Sequence, residues 1–226
     1  MDRRGFLTYG SKVLTGVALA ATSGVFPRRL LAAESSSFSI DVVTQHPDLA
    51  IQKVTQIIQH SELGRQTVGF SEFPLAGSHV GDIAFVHNNQ LVNFHTATDS
   101  ISLQLKEVAS ALSLPQTYQD PTLLRFYTAQ TVSQPTHAQV FCGDVLVKEL
   151  PLQGAKDVHR LDGTRGYLEV AVGEGSAKIV HASCKHKTCM KMGAIRQAGQ
   201  SLVCIPAQLS VSIAGQNGLG VDGVTF

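Results

Sequence analysis

The sequence predicts an α+β fold, with a small α+β N-terminal region followed by an all-β C-terminal domain that is barrel- or sandwich-like. Between residues 36 and 130, apolar residues recur at helical spacing in two segments and alternate in the segments around them. From residue 137 onward, short alternating segments are separated by turn residues about every eight to twelve positions. That spacing is typical of an antiparallel sandwich or small barrel.

Composition is compatible with two modest domains behind a basic N-terminal segment. The chain has 226 residues, of which 43% are hydrophobic and 15% charged, as in ordinary globular proteins. Residues 1–33 hold five basic residues against one acidic residue, and the remainder holds 13 against 16. We therefore divide the chain into residues 1–33, 36–130 and 131–226. Because the residues after position 33 carry a weakly acidic net charge, we predict no nucleic-acid partner.

The N-terminal segment has the three-part organisation of an export signal. Its start, DRRGFL from Asp2 to Leu7, closely resembles a twin-arginine signal, and a moderately apolar run from Val13 to Val25 follows. Small residues precede Glu34, so cleavage after Ala33 is compatible with the sequence. We predict recognition by the twin-arginine export machinery and a soluble periplasmic or extracytoplasmic protein. An amphipathic helix or a permanent anchor is the alternative, but the run is short for a membrane span.

The region from 36 to 130 predicts the order strand, helix, three strands, helix. The first helix begins near Leu49 and ends at Gly64. The dipeptide Asn88-Asn89 lies between two strand-like segments and is typical of a two-residue hairpin turn. The second helix is capped by Thr98 or Asp99, and Pro115 and Pro121 start a connector. The other predicted segments are the strands 38–43, 65–73, 82–87 and 90–95.

Three histidines of this region, His79, His87 and His95, are predicted to be surface or edge residues rather than a metal site. The region contains no glycine-rich phosphate loop, no GxSxG elbow and no HExxH motif. We assign no catalytic and no cofactor-binding residues, and the sequence favours a non-enzymatic protein without deciding the question.

Residues 131–137 read as a linker, and a series of short strands follows. The predicted strands are 137–142, 145–152, 157–161, 165–172, 177–181, 202–204 and 208–213, with turns at Gly143-Asp144, Asp162-Gly163 and Glu174-Gly175. This order is that of an antiparallel meander, sandwich or small barrel.

Residues 137–215 resemble the NusG domain II family. The resemblance is carried by the Leu168-Glu169-Val170 strand, a C-x4-C pair, a G-x-I step, a Gly-Gln to Cys-x-Pro segment and an alternating last strand. It implies a small all-β module. The chain departs from the family pattern at Lys185, where the family usually has proline, at the added His186, and at Ala207, where asparagine is frequent.

The segment from His181 to Cys204 contains three of the four cysteines and two of the three methionines. In an oxidising compartment a structural disulfide is expected, and the candidates are Cys142, Cys184, Cys189 and Cys204. Four cysteines allow three complete pairings, and the sequence does not choose among them. A bond from Cys184 or Cys189 to Cys204 closes a loop worth roughly 3 kcal/mol in the chain-entropy description.

The same segment is also a candidate metal site. Its candidate ligands are His181, Cys184, His186, Cys189 and Cys204, with Met190 and Met192 nearby, a set suited to copper, zinc or an iron–sulfur cluster. Cys184-x-His186 matches half of a Rieske motif, but Ala207 stands where the second histidine is required. Thiol redox chemistry and an anion-binding patch of Lys185, Lys187, Lys191 and Arg196 are weaker alternatives.

The leading functional prediction is therefore an exported, non-enzymatic accessory or binding protein whose β domain is stapled by a disulfide. The alternative is a metal-binding or electron-transfer protein that uses the ligands between His181 and Cys204. The two hypotheses differ in the expected sulfur geometry, because a disulfide and a metal site hold sulfur atoms at different separations.

Overall fold

The N-terminal part of the computed structural model is a helix-covered antiparallel sheet. The structure describes residues 37–129 and 135–213, so the predicted export signal and most of the predicted linker lie outside the described residues. The elements of this part are β1 (Phe38–Thr44), α1 (Pro47–His60), a 3-10 turn (Glu62–Arg65), β2 (Val68–Pro74), β3 (Ser78–Gly81), β4 (Ile83–His87), β5 (Gln90–Val92), α2 (Ser100–Ala111), β6 (Gln116–Gln119) and β7 (Thr122–Thr128).

Five of these strands form one sheet in the order β2-β7-β1-β4-β5, and β3 pairs with β6 separately. Every residue of the central strand β1 is buried, which shows that both faces of the sheet are covered. Phe38, Ile40 and Val42 pack with the apolar stripes of α1 and α2 on one face. Val43 lies in a second core on the other face, together with residues of the C-terminal part.

The predicted helices and hairpin are confirmed. Asn88 and Asn89 have φ angles of 49° and 67°, which are the left-handed values that a tight hairpin turn requires. The cap of α2 is Asp99, whose carboxylate accepts a hydrogen bond from the backbone N–H of Ser102 at 2.9 Å.

Replacement of Asp99 by alanine is expected to lower the free energy of unfolding by about 1 kcal/mol, because an N-cap hydrogen bond is lost. The bond to Ser102 holds the pKa of Asp99 below its ordinary value. A lowered pKa in the folded state stabilises the fold above the unfolded pKa, and this stabilisation is lost as pH falls through the folded value. Urea unfolding at pH 7 and at acidic pH should show the gap between wild type and Asp99→Ala narrowing in acid. Asp99→Asn, which keeps a capping oxygen, is the control and should lose less.

Three strands of this part, β3, β6 and β7, were not predicted. The segment after Pro115 was expected to be a connector, yet β7 pairs with both β1 and β2 in the middle of the sheet. Leu123, Leu124 and Phe126 are almost fully buried there. A strand buried on both faces lacks the alternation that identifies half-buried strands, and a preceding proline weakens its signature further.

The C-terminal part contains two four-stranded antiparallel sheets, in the orders β10-β11-β12-β13 and β14-β15-β8-β9. They face each other across one core and do not close into a barrel, so of the two predicted alternatives, barrel and sandwich, the sandwich is observed. Its elements are β8 (His137–Cys142), β9 (Val145–Pro151), β10 (Asp157–Gly163), β11 (Gly166–Gly173), β12 (Ser176–Ala182), α3 (Thr188–Lys191), β13 (Ala194–Ile195), β14 (Ser201–Cys204) and β15 (Leu209–Ile213).

The two parts share a packed interface centred on a buried ion pair. Asp41 and Arg125 are register partners on β1 and β7, and Arg125 Nε lies 2.9 Å from Asp41 Oδ1. Arg125 Nη1 also donates to the carbonyl of Met192, at 3.3 Å, which links the N-terminal sheet to the segment after α3. Burial raises the pKa of Asp41, and the Arg125 guanidinium opposes that rise. The cysteine segment is therefore anchored on the N-terminal sheet.

Within residues 37–129 and 135–213, no helix combines the length and apolar character needed to cross a membrane.

Candidate metal centre

Three cysteines from separate parts of the sequence meet beside the interface between the two parts. Cys184 lies in the loop after β12, Cys189 is in the single helical turn α3, and Cys204 is the last residue of β14. Lys187 adopts a left-handed conformation with φ 52° just before α3, which reverses the chain between the first two cysteines. A turn then follows Cys204, closed by a hydrogen bond from Gln208 N–H to the Ile205 carbonyl. Two chain reversals therefore bring the three thiols together.

The sulfur separations fit a metal ion. The three Sγ atoms all lie within 4.8 Å of one another, and Cys184 Sγ is 3.7 Å from Cys189 Sγ. Tetrahedral zinc with Zn–S bonds of about 2.3 Å places its sulfur ligands roughly 3.8 Å apart. A disulfide needs an S–S distance of about 2.05 Å, and all four cysteines are free in the structure. The observed spacing is compatible with three sulfur ligands around a shared ion and is too long for a disulfide bond.

The thiols differ in acidity because they interact with one another. A hydrogen bond from Cys189 lowers the pKa of Cys204 to about 6, assisted by the backbone N–H of Ala207. The same bond, together with burial, raises the pKa of Cys189. Burial and the charge of Cys204 raise the pKa of Cys184, although the backbone N–H of Lys187 opposes the rise. These interactions therefore favour ionisation at Cys204 over the other two thiols, and ionisation of all three needs a cation to compensate the charge.

The three cysteines line a cleft of about 320 Å³ that both parts of the chain form. The N-terminal sheet contributes Val43, Ala84 and Leu123 to the cleft, and the cysteine loop contributes Lys185 and Lys187. Both lysines are exposed, so their ammonium groups add positive charge beside the thiols without being buried. The thiols are accordingly accessible from a mostly apolar cleft with a cationic rim.

Two histidines attach the cysteine loop to β3. His79 Nε2 lies 3.1 Å from the carbonyl of Ala76 and donates to it, because a carbonyl oxygen can only accept. In the neutral ring the other nitrogen, Nδ1, then accepts a hydrogen bond from the hydroxyl of Thr188 at 2.9 Å. His186 Nδ1 donates to the Ser78 carbonyl at 3.1 Å. Of the predicted surface or edge positions, His79 has the edge position, because among the described strands β3 pairs only with β6, but it is only 3% exposed and is therefore not a surface residue. A lone histidine between Ser78 and Val80 carries no sequence pattern that reveals this contact.

The structure does not bring the other predicted ligands into the cluster. His186 lines the same cleft but is not among the residues whose ligand atoms converge. His181 stacks on the ring of Tyr167, with centroids 5.6 Å apart. A register shift between β11 and β12 leaves Val180 exposed and His181 half-buried, with its Nδ1 atom buried and without a hydrogen-bond partner, while Ala182 stays buried. Buried and exposed side chains therefore do not alternate strictly along β12 at His181.

Cys142 is also separate from the cluster. Its neighbour across the sheet is Leu209, which pairs on its other side with Cys204. Two strand spacings place the Cα atoms of Cys142 and Cys204 about 10 Å apart, beyond disulfide reach. The Cys142 thiol instead contacts the Thr164 hydroxyl at 3.7 Å. A pairing of these two cysteines is thus excluded in this fold.

The fold and the thiol cluster define an α+β protein with a β-sandwich domain that carries a three-cysteine centre. Residues 108–217 match the family model of NusG domain II. The match confirms the resemblance seen in the sequence, and it begins within α2, before the β-sandwich.

Solved structures similar to the chain include members of the DUF1312 family. A protein from Enterococcus faecalis is 16% identical, with 36% of this chain and 98% of that chain covered and a TM-score of 0.34. A protein from Ruminococcus gnavus is 25% identical, with 35% and 97% covered and a TM-score of 0.30. The Lin0431 protein from Listeria innocua is 21% identical, with 42% and 86% covered and a TM-score of 0.35. No curated protein matches the chain.

Proposed function

We propose that this protein binds a thiophilic metal ion, with Zn²⁺ as the principal occupant, through Cys184, Cys189 and Cys204. The observation that carries the proposal is the convergence of three sulfur atoms within 4.8 Å. Thiolate ligands select zinc, monovalent copper and iron–sulfur clusters over hard cations. Proteins that bind zinc through thiolates commonly use loops of this kind, in which two ligands lie a few residues apart and a third comes from a distant strand.

The surroundings of the sulfurs support this occupant. Backbone N–H groups of Lys187 and Ala207 donate to Cys184 and Cys204, and such bonds stabilise thiolates rather than thiols. Cys189 and Cys204 are 4% and 2% exposed, so their ionised forms require a nearby cation. Zn²⁺ has no redox chemistry of its own, so a zinc centre here is a binding or structural site rather than an electron-transfer site.

We also propose that the protein acts outside the cytoplasm. The support is the DRRGFL start and the apolar run that follows it, both in the sequence alone. Twin-arginine export transports folded proteins, so a metal acquired during folding would cross with the chain. In this proposal the protein is an exported binding module whose metal is inserted before the thiols meet an oxidising compartment.

The direct test is titration of the reduced, metal-free protein with Co²⁺ and then Zn²⁺. We expect one Co²⁺ per chain with intense sulfur-to-cobalt charge-transfer absorption, and we expect Zn²⁺ to displace it. If metal analysis instead finds iron or copper in stoichiometric amount, the thiolate site is supported but its metal is not Zn²⁺. Absence of charge-transfer absorption at saturating Co²⁺ would contradict the proposal.

A disulfide between Cys184 and Cys189 is the second candidate, and it requires their Sγ atoms, which are 3.7 Å apart in the structure, to move to bonding distance. It would staple the loop to α3 and leave Cys204 as a free thiol. Thiol counting on protein isolated from its native compartment distinguishes the zinc-bound form from the disulfide form. Zinc-bound cysteines become reactive after chelation, whereas disulfide-bonded cysteines become reactive only after reduction. Metal-free protein with two oxidised thiols would support the disulfide bond.

A further inference from the structure

The three cysteines leave the coordination sphere of a zinc ion incomplete. Zinc is almost always four-coordinate in proteins, and a site with three protein ligands keeps its fourth position for water or an added ligand. Among residues 37–129 and 135–213, no fourth cysteine, histidine or carboxylate converges with the three sulfurs. The missing ligand must therefore come from outside the described residues, and the cleft is the space that adjoins all three sulfurs.

The walls of this cleft are suited to an apolar molecule. Its lining combines aliphatic side chains from both parts of the chain, among them Val43, Val80, Leu123, Met192, Val203 and Ile205. Val80 and Ile205 are 37% and 42% exposed, so they offer apolar surface that a ligand would remove from water. A volume of about 320 Å³ accommodates a small organic molecule rather than a water or a single ion.

The fourth ligand determines the net charge of the cleft. Three thiolates and one Zn²⁺ carry a net charge of −1, and an anionic fourth ligand makes it −2. Lys185 and Lys187 line the cleft and balance that charge. The Asp41 carboxylate, which also lines the cleft, is neutralised by Arg125. Asp82 remains as an acidic group at the cleft, so the total is −1 with a bound anion and zero with a neutral fourth ligand, and the preference for a sulfur donor rests on ligand softness rather than on charge.

We infer that the cleft binds a small thiol with an apolar body, whose sulfur completes the zinc coordination while the body packs against Val80 and Ile205. A sulfur donor matches the softness of the three protein ligands. This inference rests on the proposed zinc site and specifies what that site takes as its fourth ligand. The step is a ligand exchange, in which the thiol loses its proton to solvent and its thiolate replaces water on the metal.

The test uses the Co²⁺-loaded protein and two thiols of similar acidity, phenylmethanethiol and 2-mercaptoethanol, with toluene as a probe that lacks the donor. We expect phenylmethanethiol to change the cobalt spectrum and to bind at least about tenfold more tightly than 2-mercaptoethanol, because its ring is buried in the cleft. Toluene is expected to compete with phenylmethanethiol without producing the spectral change itself.

The matched variants are Val80→Ser, in the cleft, and Val158→Ser, an exposed valine on β10 outside it. Val80→Ser should weaken phenylmethanethiol binding about threefold or more and leave both Co²⁺ affinity and 2-mercaptoethanol binding unchanged, whereas Val158→Ser should change nothing. Equal affinity for the two thiols, or equal phenylmethanethiol affinity in the two variants, would overturn the inference without contradicting the proposed metal site. Failure of Co²⁺ to bind at all would instead overturn the proposed function.

Discussion

Replacement of Cys204 by serine is expected to lower Zn²⁺ affinity at least about a hundredfold. Substitution of groups that only orient zinc ligands already costs ten- to a hundredfold, and this change removes a ligand itself. Cys204 is also the thiol whose pKa is lowered by the hydrogen bond from Cys189, so the variant lacks the most acidic of the three sulfurs. The measurement is competition between the protein and a chromophoric zinc chelator, carried out under reducing conditions.

Cys142→Ser is the matched control. It makes the same chemical change two strands away in the same sheet, but Cys142 lies outside the cluster and contacts Thr164 instead. Its Zn²⁺ affinity should equal that of the wild type. Since Cys204 is buried and its replacement can affect folding, Cys184→Ser provides a second cluster variant at a half-buried position. Wild-type affinity in both cluster variants, or an equal loss in Cys142→Ser, would refute the three-cysteine site.

Replacement of Arg125 by methionine is expected to lower the free energy of unfolding by about 3–5 kcal/mol. Arg125 and Asp41 are 3% and 4% exposed, and removing one member leaves the other as an uncompensated buried charge. The change also frees the Met192 carbonyl, which accepts from Arg125. Urea unfolding monitored by circular dichroism measures the loss directly.

Lys156→Met is the control for this prediction, because Lys156 forms an ion pair with Glu174 in which both side chains are more than half exposed. Exposed pairs contribute little, so this variant should change stability by less than about 1 kcal/mol. The double variant Asp41→Leu with Arg125→Met should recover much of the lost stability, since no unpaired charge remains. If Arg125→Met were no less stable than Lys156→Met, the buried pair would not be what anchors the interface.

Local sequence patterns were sufficient for elements that are half buried. The stripes of α1 and α2, the cap at Asp99 and the turn at Asn88-Asn89 each depend on neighbours within a few residues. The strand β7 was missed because it is enclosed on both faces and therefore lacks a period of two. For the same reason Arg125 gave no sign in the sequence that it is buried against Asp41, 84 residues away.

The sequence alone identified the cysteine segment and its family pattern, because ligand-type residues are concentrated there and short spacings are visible along the chain. Only the tertiary structure decided which of them meet. It joins Cys204 to Cys184 and Cys189, and it separates Cys142 and His181 from them. These outcomes depend on strand order and on one register shift between β11 and β12, and both are set by packing between distant segments. The cleft beside the thiols depends equally on that packing, since its walls come from both parts of the chain.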